Sequence, residues 1–324
     1  MKRIGAAFVL AAALAGLSMS SAMADKYPSR TVSLVVPYPA GGSVDGVARI
    51  VAQKMSEVTG GNFIVENRAG GAGGIVGASY VVKAAPDGYT LLLTASIHVV
   101  TPFLHKAIPY NVVTDFTPVS LLASGPLIVS TAPNVEAKNL KEFFELVRKS
   151  PDKYTFATSS FGSAGHMAIE LLKRDADLKT LVIAYKGAAP MLNDLMGGQV
   201  QLVADPMLSS LPLAQSGKIK AFAVTSMKRV AIAPEIPTLA ESGVKGFDFG
   251  SWYGLWGPKD MPAELTKMLQ ETLVKVVNDP AVKERLATLG FEAKGSTSAE
   301  FADYIKSEMT KYEDIIKAAD IKPQ

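Results

Sequence analysis

Two stretches of this sequence bring glycine, hydroxyl groups and free backbone N–H groups to points where a strand gives way to a helix. The first is Pro37-Tyr38-Pro39-Ala40-Gly41-Gly42-Ser43-Val44-Asp45, and the second is Thr158-Ser159-Ser160-Phe161-Gly162-Ser163-Ala164-Gly165-His166. The first turn of a helix carries N–H groups without intrahelical partners at the positive end of the dipole, which suits an anion. Gly41 and Gly42 let backbone approach a bound group with no Cβ in the way. Pro37 and Pro39 stiffen the bend. Asp45 can cap the helix or hold the loop shut by accepting N–H bonds, because direct contact with another acid would be repulsive. In the second stretch, the hydroxyls of Ser159, Ser160 and Ser163 and the N–H groups up to Ala164 can donate to an acid that the first bend already holds. Two such helix starts facing each other would clamp a carboxylate. The plain alternative is a pair of ordinary strand-to-helix turns.

Other chemistry fares worse. Gly71-Ala72-Gly73-Gly74-Ile75-Val76-Gly77 approaches a dinucleotide loop but has Val76 where the last glycine of G-x-G-x-x-G belongs, so no cofactor is expected. The three histidines, His98, His105 and His166, have no metal-ligand spacing, and there is no cysteine to complete a site. His98 follows the third strand and could line a cleft floor beside Ser96, or pack locally. No G-x-S-x-G string occurs, and Ser43 has no sequence signal for a partnered base, so hydrolysis is the weaker reading.

The elements that must carry these residues alternate. Strands are expected at 32–36, 63–66, 90–94, 127–130, 154–158, 182–185, 202–204, 219–225 and 250–257, with helices between most of them. Helices over 262–278 and 298–319 end the chain. Strand–helix–strand order argues for mainly parallel sheets flanked by helices, and open α/β sheets bind ligands at the carboxyl ends of their strands. A core from about 300 residues tends to divide in two. The expected organisation is therefore a two-lobed α/β protein, with lobe 1 over 25–124 and 250–324, lobe 2 over 125–249, and a cleft between them. Trp252, Tyr253 and Trp256 fall where the chain returns to lobe 1, at a hinge or in a core strand.

The start of the chain reads as an export signal over 1–24. Lys2 and Arg3 precede an uncharged run from Ile4 to Leu17, and Ala22-Met23-Ala24 is a cleavage pattern. The run is too short for a membrane span, and with no cysteine there is no lipid anchor. The chain holds 33 Lys+Arg against 30 Asp+Glu, with no basic stripe, which argues against nucleic-acid binding. Any affinity for anions must then come from local geometry.

The strings VVPYPAGGSVDGVAR, VENRAGGAGGIVGA, AAPDGYTLLL, AYKGAAPMLNDLMGGQVQL and AVTSMKR…PEIPTLAESG closely resemble the substrate-binding proteins of tripartite tricarboxylate transporters, the Bug/TctC family. The likeness runs from about Tyr27 to the C-terminus. It implies a periplasmic two-lobed receptor, not an enzyme, that passes a small carboxylate to a membrane permease. The candidates are a di- or tricarboxylate, an acidic amino acid or an aromatic acid. By the same resemblance, Tyr38, Ala40, Gly41, Gly42 and Asp45 surround the proximal carboxylate, Ser159 to Ala164 form the second-lobe loop, and Asp205 is the acid after the later strand. Relatives often have proline at position 40, a loop richer in Gly, Asn and Thr where Phe161 stands here, and Asn where Pro206 follows Asp205. Phe161 and Tyr38 would favour an apolar or aromatic acid. The protein is expected to act as a monomer without inserting into the membrane. Alternative roles for the same cleft are a carboxylate- or ester-processing hydrolase and a ligand-presenting sensor.

Overall fold

The computed structural model describes residues 27–323, so the export signal expected over 1–24 lies outside the described residues. In chain order the elements are β1 (Val32–Val36), α1 (Ser43–Thr59), β2 (Phe63–Asn67), a 3-10 turn (Ala72–Gly74), α2 (Ile75–Val82), β3 (Thr90–Ala95), α3 (Ile97–Leu104) and β4 (Phe116–Thr131). Then follow α4 (Leu140–Lys149), β5 (Thr155–Thr158), α5 (Ala164–Asp175), β6 (Leu181–Ala184), α6 (Ala188–Met196), β7 (Leu202–Pro206), α7 (Met207–Gln215) and β8 (Lys220–Val224). The chain ends with β9 (Gly250–Pro258), α8 (Ala263–Asn278), α9 (Pro280–Thr288), β10 (Glu292–Ala293) and α10 (Ser298–Ala318).

Local sequence explains most of these. In α1, Val44, Val47, Ala48, Val51, Ala52 and Met55 recur at helical spacing and are buried. The helix stops at Gly60, whose φ of 72° lets its N–H reach back to Ser56 O. Helix α4 buries Leu140, Phe143, Phe144 and Val147, and the Asn139 side chain caps it by accepting the Glu142 N–H at 2.9 Å. Thr297 and Glu300 form a reciprocal capping box at the start of α10.

The strands lie in one curled sheet in the order β2-β1-β3-β9-β4-β7-β5-β6, with β8 and β10 also paired to β4. Parallel pairing, expected throughout each lobe, holds only in the outer strands: β1 with β2 and β3, and β5 with β6 and β7. The central pairs are antiparallel. The cause is that β4 runs the whole length of the molecule. Its Phe116–Pro126 segment pairs with β9, and Leu127–Thr131 pairs with β7 and β8. One strand leaves the first lobe where the other returns to it, so the two must run in opposite directions.

The exchange of partners falls at Gly125-Pro126 opposite Gly250. Backbones touch there: a Cβ on Gly250 would lie 2.7 Å from Gly125 O, and one on Gly125 would lie 2.5 Å from Gly290 O. Glycine is required by the close approach, not by dihedral angle.

On one face of the first-lobe strands, α8 and α9 join α1 over a core that includes Leu34, Leu93, Leu255, Leu269 and Val276. Helix α10 covers the other face, with Phe301 against Gly254 and its ring 4.8 Å from that of Trp256. The terminal helices were expected to serve lobe 1 alone. In fact α10 continues past the hinge, where Tyr312 meets Phe249 at 5.9 Å and the helix touches α5. Four features were not anticipated: α3, α7, α9 and the first half of β4.

Candidate functional site

The bend between β1 and α1 is built around Asp45. Its side chain is only 6% exposed. Oδ2 accepts the Gly41 N–H at 3.0 Å and Arg49 Nε at 2.8 Å, while Oδ1 accepts Arg49 Nη2 at 3.0 Å and Asn67 Nδ2 at 3.0 Å. Asn67 also reaches the Tyr38 carbonyl at 3.1 Å. Burial alone would raise the Asp45 pKa, but the bonds from Arg49, Gly41 and Asn67 outweigh it and leave it lowered. A depressed carboxyl contributes stability above its unfolded value and loses it only as pH falls through the folded one, so the bend is intact at neutrality. Asp45 therefore shapes the loop from behind.

What the bend presents forward is backbone. Pro39, Ala40 and Gly41 are exposed, and a Cβ on Gly41 would meet nothing within 4 Å. Gly42 is the N-cap and has no side chain to close the helix, so the first-turn N–H groups have no intrahelical acceptor; the first such bond is Gly46 N–H to Gly42 O. Tyr38 forms a wall, its hydroxyl held near Thr94 Oγ1 (3.1 Å) and Gly73 O (3.4 Å). The glycines of the 70–77 stretch serve packing. A Cβ on Gly74 or Gly77 would strike Pro37 at 2.8 and 2.7 Å.

The opposite loop is more self-occupied. Ser163 caps α5 by accepting the His166 N–H and bonds Thr158 Oγ1 at 2.7 Å. The Gly162 N–H is taken by His166 Nδ1 at 3.1 Å. Burial, assisted by Lys173, lowers the His166 pKa to about 4, so the ring is neutral and able to accept that bond. Ser160 Oγ turns to the Phe161 carbonyl at 3.4 Å, and the Phe161 ring packs 4.9 Å from His166. Ala164 is buried in the first turn of α5. A Cβ on Gly165 would lie 2.1 Å from Ala204 O, a contact that sets this loop beside the end of β7.

At that end lies Asp205, 1% exposed. Ser209 and Ser210 hydroxyls both donate to its Oδ2, the latter at 3.4 Å. Burial pushes its pKa up to about 7 despite these two bonds. The sign follows directly: a carboxyl with a raised folded value stabilises least at high pH, because deprotonation favours the unfolded chain. Asp205→Asn should therefore unfold at higher temperature than the wild type at pH 8, by on the order of 3 kcal/mol, with the gap closing near pH 4. Thermal unfolding at the two pH values checks this.

The two lobes meet around these loops. Gly162 abuts Leu104 and Ile97 of α3, and Gly46 of α1 abuts Leu208 of α7. The structure thus brings the 38–45 bend, the 159–164 loop and Asp205 to one junction. It does not bring His98. That ring is 1% exposed and caged by Tyr110, Phe116 and Trp256, with centroids 5.8, 4.7 and 5.3 Å away. Ser96 is likewise buried, its N–H bonded to Trp252 O, and both residues are left out of the proposed site.

Two features escaped the sequence reading. Tyr253, on β9, is 1% exposed, and its hydroxyl has no hydrogen-bond partner. Its pKa is raised to about 12, by burial first, with Ser251 and Ser43 opposing and the Asp205 charge adding, which sets the phenol among those three groups. The other feature is the start of α6. Gly187, at φ 123°, caps nothing with a side chain, bonds Ser159 O through its N–H at 2.8 Å, and has open space where a Cβ would be. The Gly-Ala-Ala string after β6 was the available signal. A separate groove of about 830 Å³ crosses the hinge past Gly125, Pro126, Phe249 and Gly250 and includes none of the open helix starts. Among the described residues no cluster of three or more His, Cys, Asp or Glu could hold a metal.

Residues 47–321 match the family described as the tripartite tricarboxylate transporter family receptor, TctC. The chain belongs to that family. Among solved structures, this family member resembles the periplasmic binding protein BugD, at 37% identity over 92% of this chain and 100% of the other, with a TM-score of 0.85. It also resembles an R. palustris protein solved with adipate, at 33% identity, equal coverage and a TM-score of 0.88. A third likeness is to MatC from Rhodopseudomonas palustris with bound malate, at 31% identity over 90% of this chain and 100% of that one, with a TM-score of 0.82. This TctC-family chain is accordingly a solute-binding protein of the periplasmic type, not an enzyme. No described helix is long and apolar enough to cross a membrane.

Proposed function

We propose that the protein captures a small carboxylate between its two lobes, divided at Gly125-Pro126 and at Phe249-Gly250, and presents it as a monomer to the membrane permease of a tripartite transporter. The observation that carries this reading is the uncapped first turn of α1 at an exposed glycine bend, with Asp45 fixing the loop from its far side. Backbone N–H groups there supply positive potential in a protein of near-neutral net charge. The proximal carboxylate sits against Gly41, Gly42 and Ser43. Tyr38 and Ala40 form the near wall, and Ser159, Ser160, Phe161, Ser163, Ala164 and Asp205 cover it from the second lobe. The relatives solved with adipate and malate support a carboxylate. Export by the basic–apolar leader delivers the protein to the periplasm.

Mass spectrometry of whatever copurifies is the direct test, followed by a thermal-shift panel of mono-, di- and tricarboxylates. A bound acid at a hundred times its Kd should add about 2.7 kcal/mol of stability. A panel in which no carboxylate moves the transition, while an amine or sugar does, overturns the reading.

A further inference from the structure

The buried junction holds one hydroxyl that the fold does not use. Tyr253 is 1% exposed, belongs to the returning hinge strand, and leaves its phenol oxygen unbonded beside Ser43 of lobe 1 and Asp205 of lobe 2. Leaving such a group unpaired costs about 1–3 kcal/mol, so a partner arriving with the ligand is the physical resolution. Asp205 is in a similar position. Both serine hydroxyls converge on Oδ2, which leaves Oδ1 to carry a proton outward.

Nothing around Asp205 compensates a negative charge. Strands β4 and β5 and helix α7, all packed against β7, contain no ionisable residue. On α5, His166 is neutral, Lys173 is paired with Glu170 at 3.0 Å, and Arg174 with Asp175 at 2.7 Å. Tyr253 is the titratable group facing it from β9.

We propose that Tyr253 and a neutral Asp205 form a pair of hydrogen-bond donors that reads the far end of the ligand, accepting a carboxylate, carbonyl or hydroxyl oxygen and refusing an ammonium group. The proposal rests on the carboxylate reading above and adds the chemistry of the second end. The positive end of α1, reaching Tyr253 through Ser43, works in the same direction: it repels a cation and favours an acceptor. The electrostatic consequence is a pH dependence. An acid with two carboxylates binds with Asp205 protonated and loses affinity as Asp205 ionises, whereas an ammonium-ended acid would gain affinity over the same interval.

Adipate and 6-aminohexanoate match in length and differ only in that far group, so calorimetric titration of both from pH 5.5 to 8.5 separates the cases. Adipate is expected to bind at least about a hundredfold more tightly than 6-aminohexanoate at pH 6, and to weaken by about tenfold per pH unit above 7. Tyr253→Phe removes a hydroxyl with no partner in the fold, so it should leave stability intact and weaken adipate by about tenfold at every pH. Asp205→Asn keeps a donor and should flatten the pH profile. Equal binding of the two acids leaves the carboxylate reading standing and overturns this one, as does an unchanged profile in Asp205→Asn or unchanged affinity in Tyr253→Phe. Failure of both acids to bind at any pH sinks the two readings together.

Discussion

Gly42→Val is expected to abolish carboxylate binding while the unliganded protein melts within about 2 °C of the wild type, because the substituted position sits in unstrained backbone. Gly42 has φ −82° and ψ 175°, an extended conformation in which valine is at ease. A Cβ there would meet only Pro39 O, at 3.9 Å. The branched side chain would occupy the space in front of the α1 first turn and block two or three charge-assisted hydrogen bonds, a loss on the order of a hundredfold or more in affinity. Gly41→Val is the contrasting variant. Gly41 has φ 86°, a left-handed conformation costly for a β-branched residue, and its N–H anchors Asp45. That change should lower the melting temperature as well as remove binding. Calorimetry and thermal unfolding of the pair separate a blocked site from a broken loop. Wild-type affinity in Gly42→Val removes the bend from the site.

The contrast between these glycines also marks how far sequence could go. Their position after a β-branched strand and before a helix made an anion-binding bend legible, and so did the repeat of that pattern at Thr158. The strings shared with the Bug/TctC family carried the two-lobed fold. What stayed hidden was hidden by proline and glycine. Helices α3 and α7 contain Pro102 and Pro212, which read as breaks, although α3 and α7 accept them within single short helices. Pro118 and Gly125-Pro126 made the first half of β4 look like loop, yet they lie in a strand whose pairing with β9 shifts register at two places. Helix α9 was merged with its neighbour because Asp279 caps it with Pro280 as its first residue, a start signal overlooked so soon after α8.

The site was legible where backbone defines it and obscure where tertiary contact does. His98 follows a strand end, the right place for a ligand contact, but its side chain turns into an aromatic cage, and burial lowers its pKa to about 3. Strand alternation decides the matter for β9: Trp252 and Trp256 face α10, so Tyr253 must face the opposite side, toward α1 and Phe291. An aromatic triplet alone does not say which ring is the odd one out.

Closure can be tested at the same resolution. Gly46 lies on the buried face of α1, in a helical conformation any residue tolerates, and a Cβ there would sit 3.0 Å from Leu208 Cδ2 and 3.8 Å from Leu289 Cδ1. Leu208 belongs to the second lobe and Leu289 to the first. Gly46→Phe should therefore act as a wedge, harmless to each lobe but incompatible with the contact between α1 and α7. The alternate contact, Gly162 against Leu104, is a poorer target because Gly162 has φ 82° and would be strained by any side chain. With the wedge in place, the ligand keeps its bonds to the bend and loses those to the second lobe. Ligand can favour the closed form only through contacts that the open form lacks. Affinity should thus fall by about ten- to a hundredfold, not vanish, which distinguishes the wedge from Gly42→Val. Small-angle scattering provides the independent readout: saturating adipate should contract the wild type and leave Gly46→Phe expanded. If the variant contracts as the wild type does while affinity drops, the second lobe does not reach the ligand through this movement, and the clamp gives way to binding on one lobe alone.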